Sequence, residues 1–278
     1  MCGLAGVLLY PTERSAAAWQ EIRQLFTAML VCNEERGREA TGVAVVQRYG
    51  TYRLFKWPMP ASEFVHVDLY HHILADVGPA TTCLLGHARW PTKGSPRNNA
   101  NNHPLLAGHT LGIHNGMIHN DDELFAALHL PRQAEVDSEI LFRLLDTIPP
   151  FARDERYLTQ LREQLEPVDG VFATLSVDLR RPTDLVVLKH NCPLCLHYDP
   201  TLQALFFSSR YLFLRQAFGY SVSTEALDQG YVYLFAAEQL PRRGQQPVCA
   251  IPLNDTPRAG SRLVIPLDSG GGSDRDNR

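Results

Sequence analysis

The chain begins Met1-Cys2-Gly3-Leu4-Ala5-Gly6-Val7, which places a cysteine directly after the first methionine. We expect Met1 to be trimmed because the next side chain is small, and trimming leaves Cys2 with a free α-amine. The thiol, with an ordinary pKa of about 8.5, then lies beside an amine whose pKa is about 7.7–8.0. One residue can in this way supply both a nucleophile and a base. The alternative is a cysteine that is simply buried at the start of an apolar strand.

Beyond Gly3, apolar residues recur in short runs and in helical spacings, which indicates sheets covered by helices. The helical stretches have apolar residues three and four positions apart; they lie at 15–36, from 121 onward, at 136–148 and at 211–218. The predicted strands are short and bounded by turn residues; they lie at 2–9, 41–47, 52–57, 81–90, 110–114, 170–177, 184–188, 195–198, 203–208 and 231–235.

The composition is that of an ordinary globular protein. Of the 278 residues, 45% are hydrophobic and 20% charged. The formal net charge of −4 argues against a nucleic-acid partner or an anionic membrane surface. No apolar run reaches the length of a membrane span, and the segment from Met1 to Tyr10 lacks the basic start of an export signal. We therefore predict a cytoplasmic protein whose six cysteines are thiols.

The chain contains no internal repeat and no linker rich enough in glycine, proline or serine to divide it. We therefore predict one domain over residues 2–265. Residues 266–278 are rich in glycine, serine and charged residues, a composition that cannot bury a core, so we predict a disordered tail there.

A first candidate site segment is Gly86-His87-Ala88-Arg89-Trp90-Pro91-Thr92-Lys93-Gly94, which leaves the end of a predicted strand. An arginine at such a position can hold a small carboxylate through two parallel hydrogen bonds, and Thr92 can add a hydroxyl donor. The alternative is an ordinary surface arginine beside a packed tryptophan.

A second candidate segment is His114-Asn115-Gly116-Met117-Ile118. Attack on an amide creates an oxyanion, which needs hydrogen-bond donors that are already in place. The side-chain amide of Asn115 and the backbone N–H of Gly116 would supply two such donors. The alternative is an Asn-Gly hairpin turn, which is the commonest meaning of that dipeptide.

A third candidate segment is Val136-Asp137-Ser138-Glu139, at the start of a predicted helix. A carboxylate there can bind the α-ammonium group of an amino-acid substrate. The alternative is an acidic residue that only caps the helix.

Cys192 and Cys195 have the spacing of half a zinc site. No second pair of ligands lies nearby in the sequence to complete four ligands. We predict two thiols on a strand and no metal site.

Seven segments of this chain, taken together, resemble the class II glutamine amidotransferases, and most closely the glutaminase domain of glucosamine-phosphate synthase. They follow the order and nearly the spacing of the family over about residues 2–210; they are Met1-Cys2-Gly3, Arg36 to Gly42, Gly86 to Gly94, Asn101-Asn102-His103-Pro104, His114-Asn115-Gly116, Asp137-Ser138-Glu139 and Gly170-Val171-Phe172-Ala173. The resemblance implies an α+β fold of the N-terminal-nucleophile (Ntn) hydrolase type. This fold is a four-layer αββα sandwich with two antiparallel sheets between layers of helices.

The resemblance also implies the catalytic residues. Cys2 would attack the side-chain amide of glutamine, with its own α-amine as general base and later general acid. Asn115 and Gly116 would form the oxyanion hole. The products would be ammonia and, through a γ-glutamyl thioester, glutamate, with no cofactor.

Five further residues would bind the substrate if the resemblance holds. Arg89 and Thr92 would hold the α-carboxylate of glutamine, and Asp137 would hold its α-ammonium group. Trp90 and His103 would shape the pocket.

The chain also departs from the family. The usual Arg-Gly-x-Asp-Ser-x-Gly reads Arg36-Gly37-Arg38-Glu39-Ala40-Thr41-Gly42 here, so Glu39 has a longer stem and Ala40 lacks a hydroxyl. We recognise no synthase domain in the 278 residues that would use the ammonia. We therefore expect a separate synthase subunit as partner, and the sequence leaves the oligomeric state open.

Two alternatives remain at this point. One is a stand-alone Ntn cysteine amidohydrolase that acts on another γ-glutamyl or small amide substrate. The other is a non-catalytic domain that binds glutamine for regulation.

Overall fold

The structure is a computed structural model that describes residues 1–253. Its strands are β1 (Gly3–Leu9), β2 (Ala40–Gln47), β3 (Tyr52–Trp57), β4 (Thr81–Arg89), β5 (Leu105–Ala107), β6 (Thr110–Ile118), β7 (Gly170–Asp178), β8 (Asp184–His190), β9 (Cys195–Asp199), β10 (Ala204–Ser208), β11 (Glu225–Ala226), β12 (Tyr231–Ala236) and β13 (Cys249–Pro252). Its α-helices are α1 (Ala16–Cys32), α2 (Ala61–Phe64), α3 (Asp68–Ala75), α4 (Asp121–Leu128), α5 (Glu139–Asp146), α6 (Glu155–Leu165), α7 (Tyr211–Phe218) and α8 (Leu240–Arg243).

Helix α1 shows how the sequence fixes an element of the outer layer. Ser15 caps it, because its hydroxyl accepts the backbone N–H of Ala18 at 3.2 Å. The apolar residues that follow at helical spacing form one buried face; they are Trp19, Ile22, Leu25, Phe26, Met29 and Leu30. This face packs on the outer surface of a sheet, in one cluster with β1 and β4 side chains.

Within residues 1–253 the strands form two antiparallel sheets. Sheet A has the strand order β11-β9-β10-β1-β4-β2-β3, and sheet B has the order β13-β12-β8-β7-β6-β5. Every strand pair in both sheets runs antiparallel. One apolar cluster fills the space between the sheets. A second lies between sheet A and helices α1, α2, α3 and α7, and a third between sheet B and helices α4, α5 and α6. The predicted four-layer αββα sandwich is therefore confirmed.

Strand alternation directs particular side chains into the gap between the sheets. Successive residues of a strand point to opposite faces. Leu111 and Ile113 of β6 pack between the sheets, so Asn115, two residues further along, faces the same gap. By the same alternation Leu4 places Cys2 in this gap.

Strand β4 also directs side chains into the same end of the gap between the sheets. Leu85 packs between the sheets, so His87 and Arg89 follow on that face. Gly3 pairs with Ala88, which brings the start of β1 beside the end of β4. Three strands from two sheets therefore converge at one end of the sandwich.

Within residues 1–253, none of the helices has both the length and the apolar character needed to cross a membrane. The predicted tail, residues 266–278, lies outside the described residues.

Candidate active site

Cys2 lies at the converging end of the sheets and is 9% exposed. Its Sγ is 3.4 Å from both the backbone nitrogen and the carbonyl oxygen of Trp90, so it can accept a hydrogen bond from the first and donate one to the second. The carbonyl of Cys2 accepts a 2.7 Å hydrogen bond from Nε of Arg36, a buried side chain. The backbone on the C-terminal side of Cys2 is thus held in place, while Met1 on its N-terminal side is exposed.

Burial is the main influence on the thiol of Cys2, and it raises the pKa of that group. The Trp90 N–H, the chain's N-terminal charge and Arg89 lower this pKa, and Asp137 raises it. The net direction is upward, so the thiol is neutral near pH 7 and needs a base to become a nucleophile.

Asn115 is fully buried in the middle of β6, where it pairs with Ala173 of β7. In the described part of the chain, neither its side-chain nitrogen nor its side-chain oxygen has a hydrogen-bond partner. Such unpaired buried groups are costly and call for a functional explanation. The structure also excludes the hairpin-turn alternative for Asn115-Gly116, because both residues belong to a continuous strand.

Gly116 has a φ of 146°, in the region that favours glycine. A Cβ at this position would lie 1.9 Å from the carbonyl oxygen of Val171 on β7. The residue after Asn115 therefore has to be glycine if the strand is to keep this course.

Arg89 is buried at the end of β4, and its guanidinium group is already engaged. Nη1 donates to Oδ1 of Asn102 at 2.8 Å. Nη2 donates to the carbonyl oxygens of Lys93 at 2.7 Å and Gly94 at 2.9 Å. Burial lowers the pKa of Arg89, while Cys2 and Asp137 raise it, which places the three groups within electrostatic reach of one another.

Asp137 is buried two residues before α5 begins, so it does not open the helix as predicted. Its Oδ2 accepts the backbone N–H of Ile118 at 2.7 Å. This bond ties it to the strand of Asn115. A carboxylate beside the thiol and Arg89 can bind a cationic group.

Three imidazoles pack together near Asn115, those of His87, His103 and His114. His103 stacks on His87 with ring centroids 4.3 Å apart, and its Nε2 is 2.8 Å from Oγ of Ser138. His87 Nε2 lies 2.8 Å from the carbonyl oxygen of His114, so it must donate to this oxygen. That bond joins sheet A to sheet B next to Asn115.

All three imidazoles are neutral near pH 7. Burial lowers the pKa of His87 to about 3. Burial also lowers the pKa of His103 well below its ordinary value and lowers that of His114.

The two remaining predicted substrate residues lie at the edge of this site. Trp90 is 54% exposed, although its backbone contacts the thiol. Thr92 is exposed on the loop after β4. Lys93 of that loop bonds to Asp121 at 2.7 Å and to Asp122 at 2.8 Å.

Sequence reasoning gave no individual role to Arg36, Asn102 or Ser138, although all three lie in segments that it quoted. Each contacts a predicted site residue or its neighbour through a bond that crosses between segments distant in the sequence. The motif segments could have drawn attention to these three residues, but their hydrogen-bond partners depend on the folded structure and could not be read from the sequence.

No group of three or more His, Cys, Asp or Glu residues in 1–253 is arranged to hold a metal ion. Cys192 and Cys195 are free thiols, with Cys192 buried between the sheets and Cys195 at the start of β9.

Relatives of this chain among known proteins include proteins of two named kinds. A 7-cyano-7-deazaguanine synthase of Saccharolobus solfataricus is 28% identical over 211 residues, which cover 75% of this chain and 43% of that protein. A glutamine–fructose-6-phosphate aminotransferase (isomerizing) of Gluconobacter oxydans is 29% identical over 208 residues, covering 71% and 30%. The chain thus spans less than half the length of these curated relatives. No protein-family model matches it.

Solved structures with the same fold include a glutamine phosphoribosylpyrophosphate amidotransferase of B. subtilis. It superposes with a TM-score of 0.67 at 18% identity, over 92% of this chain and 50% of that one. A second, described as the allosteric regulatory enzyme of purine biosynthesis, gives a TM-score of 0.65 at 17% identity over the same shares. In fold the chain is similar to these amidotransferase structures, and in sequence it is similar to the curated relatives, which agrees with its resemblance to the class II, Ntn-type glutamine amidotransferases.

Proposed function

We propose that the chain hydrolyses the side-chain amide of glutamine with Cys2 as nucleophile. The observation that carries the proposal is the fully buried side chain of Asn115, whose amide has no partner in the described residues. A binding domain gains nothing from an unpaired donor at this place. A hydrolase uses it when the substrate oxygen becomes negative.

The first step forms the thioester. The α-amine of Cys2, free once Met1 is removed, takes the thiol proton, and Sγ bonds to the amide carbon of glutamine. The tetrahedral oxygen accepts hydrogen bonds from Nδ2 of Asn115 and from the N–H of Gly116. When the C–N bond breaks, the nitrogen takes the proton from the α-ammonium of Cys2 and leaves as ammonia.

The second step releases glutamate. Water attacks the γ-glutamyl thioester and gives a proton to the α-amine, and the C–S bond breaks. The thiolate recovers its proton from the α-ammonium, and the site is restored. An exposed Met1 is compatible with the trimming that this sequence of steps requires.

Substrate recognition follows from the charges around Cys2. Asp137 faces the α-ammonium of glutamine, and Arg89 faces its α-carboxylate. Thr92 and Trp90 come from the loop that continues from Arg89, and His103 lies behind the pocket. Two opposite charges at a fixed separation select a free α-amino acid.

We further propose that a synthase consumes the ammonia. Relatives named as a synthase and an aminotransferase are more than twice as long as the stretch that this chain matches. Their remaining length supports a second catalytic unit that receives the ammonia. For this chain the second unit would be a synthase domain or subunit that receives the ammonia.

The test is the release of glutamate and ammonia from glutamine by Met-trimmed protein, with trimming checked by intact mass. Cys2→Ala should lower the rate by at least about 10⁴-fold, as loss of a nucleophile does. Cys32→Ala, which removes a thiol at the end of α1, should leave the rate unchanged. Glutamate release that persists in Cys2→Ala would contradict the proposal.

A further inference from the structure

Lys56 is a cation on β3 that reaches toward the site from the edge of sheet A. Its Nζ donates to the backbone carbonyl of Asn102 at 2.6 Å and to that of Pro104 at 3.2 Å. These two carbonyls flank His103. The ammonium group therefore fixes the backbone of one three-residue segment, Asn102-His103-Pro104.

The side chain of Asn102 connects this segment to Arg89. Oδ1 of Asn102 accepts the Nη1 donor of Arg89 at 2.8 Å. Nδ2 donates to the carbonyl of Pro96 at 2.7 Å and to Oδ1 of Asn99 at 3.0 Å. Both ends of the buried amide are engaged, so a shift of the Asn102 backbone would move the guanidinium group.

The side chain of His103 connects the same segment to the other charged group. Its Nε2 is hydrogen-bonded to Oγ of Ser138 at 2.8 Å, and Ser138 is the residue directly after Asp137. Its ring also stacks on His87. A single segment therefore supports both the carboxylate-binding and the ammonium-binding residue.

We propose that Lys56 is a positioning residue for recognition of the α-amino-acid end of the substrate. It acts through Asn102 on Arg89 and through His103 on the Ser138–Asp137 pair. This inference rests on the proposed function and deepens it.

The charge of Lys56 is costly where it lies. Burial, together with the positive charge of Arg89, lowers the pKa of Lys56 to about 8. Within residues 1–253, the titratable groups that interact with it are Arg89, His87 and His103, and none of these is a carboxylate. A substrate carboxylate at Arg89 would relieve the repulsion between the two cations. An apolar residue at this position would support the backbone less well and would not attract the anion.

The test compares two electrophiles that alkylate Cys2. One, 6-diazo-5-oxo-L-norleucine, has the α-amino-acid end of glutamine, and the other, iodoacetamide, lacks it. The ratio of their second-order labelling rates measures recognition of that end without needing turnover. We expect Lys56→Met to lower this ratio by about tenfold, the effect of one charge-assisted hydrogen bond.

Lys56→Arg keeps the charge and the donors and should stay within about threefold of the wild-type ratio. Arg53→Met removes an exposed cation from the same strand, whose partner is Asp76, and should change nothing. If Lys56→Met does not fold, Lys56→Gln, which keeps one donor group, should show a partial loss.

An unchanged ratio in Lys56→Met would overturn the inference. If Lys56→Met slowed labelling by the two reagents equally, the inference would also be overturned, since this result would show a general structural role for Lys56. Wild-type protein that labels no faster with the glutamine-like reagent, and that releases no glutamate, would overturn the proposed function itself.

Discussion

Asn115 and Arg89 are both buried at the same end of the gap between the sheets, but their hydrogen-bonding capacity is used in opposite ways. In the described residues no atom bonds to the side-chain amide of Asn115. Arg89, in contrast, donates to Asn102 and to the carbonyls of Lys93 and Gly94. The side-chain amide of Asn115 is free to bond to a ligand, whereas the guanidinium group of Arg89 is already bonded to protein atoms.

The difference has a geometric consequence for the substrate. A guanidinium group offers a carboxylate two donor edges, Nε with Nη2 and Nη1 with Nη2. Both edges use Nη2, whose donors go to Lys93 and Gly94. If Arg89 binds glutamine as proposed, bidentate binding would require the carbonyls of Lys93 and Gly94 to move away. Under the proposed function, Asn115 in the oxyanion half of the site would be ready for the substrate in advance, whereas Arg89 in the recognition half would exchange internal hydrogen bonds for substrate bonds.

The largest expected effect in this comparison is in the oxyanion half of the site, at Asn115. Asn115→Ala should lower kcat about 10²–10³-fold, the usual loss for one oxyanion donor, with little change in KM. Because the substitution removes a buried amide without partners, the midpoint of thermal unfolding should not fall. Met117→Ala, two residues along the strand and exposed, serves as control. A raised KM with an unchanged kcat would mean that Asn115 binds the ground state instead.

A smaller effect is expected in the recognition half. Arg89→Lys keeps the charge but loses the planar fork, so KM for glutamine should rise about 10- to 100-fold while kcat stays within a few-fold. Steady-state kinetics on glutamine measure both constants. Arg97→Lys changes an exposed arginine on the same loop and should have no effect. If Arg89→Lys lowered only kcat, Arg89 would act in the same way as Asn115, and the proposed difference between the recognition half and the oxyanion half would be wrong.

The smallest effect concerns the acid stability of the contact between His87 and the His114 carbonyl, next to Asn115. The pKa of His87 is about 3 in the folded protein, against about 6.5 when unfolded. Between these values the unfolded chain binds more protons, so the free energy of unfolding decreases as the pH falls below about 6.5. At about pH 5 the loss from His87 alone is about 2 kcal/mol.

Urea unfolding at a series of pH values measures this loss. His87→Gln keeps a donor for the His114 carbonyl but does not titrate, so its stability should depend less steeply on pH. His66→Gln, on the surface, should keep the wild-type slope. Equal slopes in His87→Gln and the wild type would show that His87 takes up its proton as readily when folded.

Many elements could be predicted from the sequence because their signals are local. The spacing of apolar residues identified α1, and the predicted bounds of β3 and α7 are those observed. Helix α6 was not predicted, although Asp154 caps it and its buried residues follow helical spacing. Helix α3 was not predicted either, since its eight residues bury only three side chains.

The assembly could not be predicted from local pattern, because sheet A places β10 beside β1 although about 200 residues separate them in the chain. The Ntn sandwich came from the resemblance of the motifs alone. Strand β6 illustrates the same limit. It was predicted to end at His114, but pairing with β7 carries it to Ile118, through Asn115 and Gly116.

The chemical types of the site residues could be predicted from the motifs, whereas the hydrogen bonds that these residues make within the protein could not. Nothing in the sequence indicates that Arg89 would be occupied by carbonyls of its own loop, because this depends on how Lys93 and Gly94 fold back. Nor does it indicate that Lys56, about thirty residues before Arg89, would support the segment that holds it.

The position of Trp90 gives the protein a built-in optical reporter. Its backbone contacts the thiol of Cys2 while its indole is half-exposed, so a substrate that draws the loop inward would shift its fluorescence to the blue. Trp19 is buried and gives a constant background, and Trp57→Phe would remove the other exposed indole. Loop closure could then be followed in real time by stopped-flow mixing, without any label.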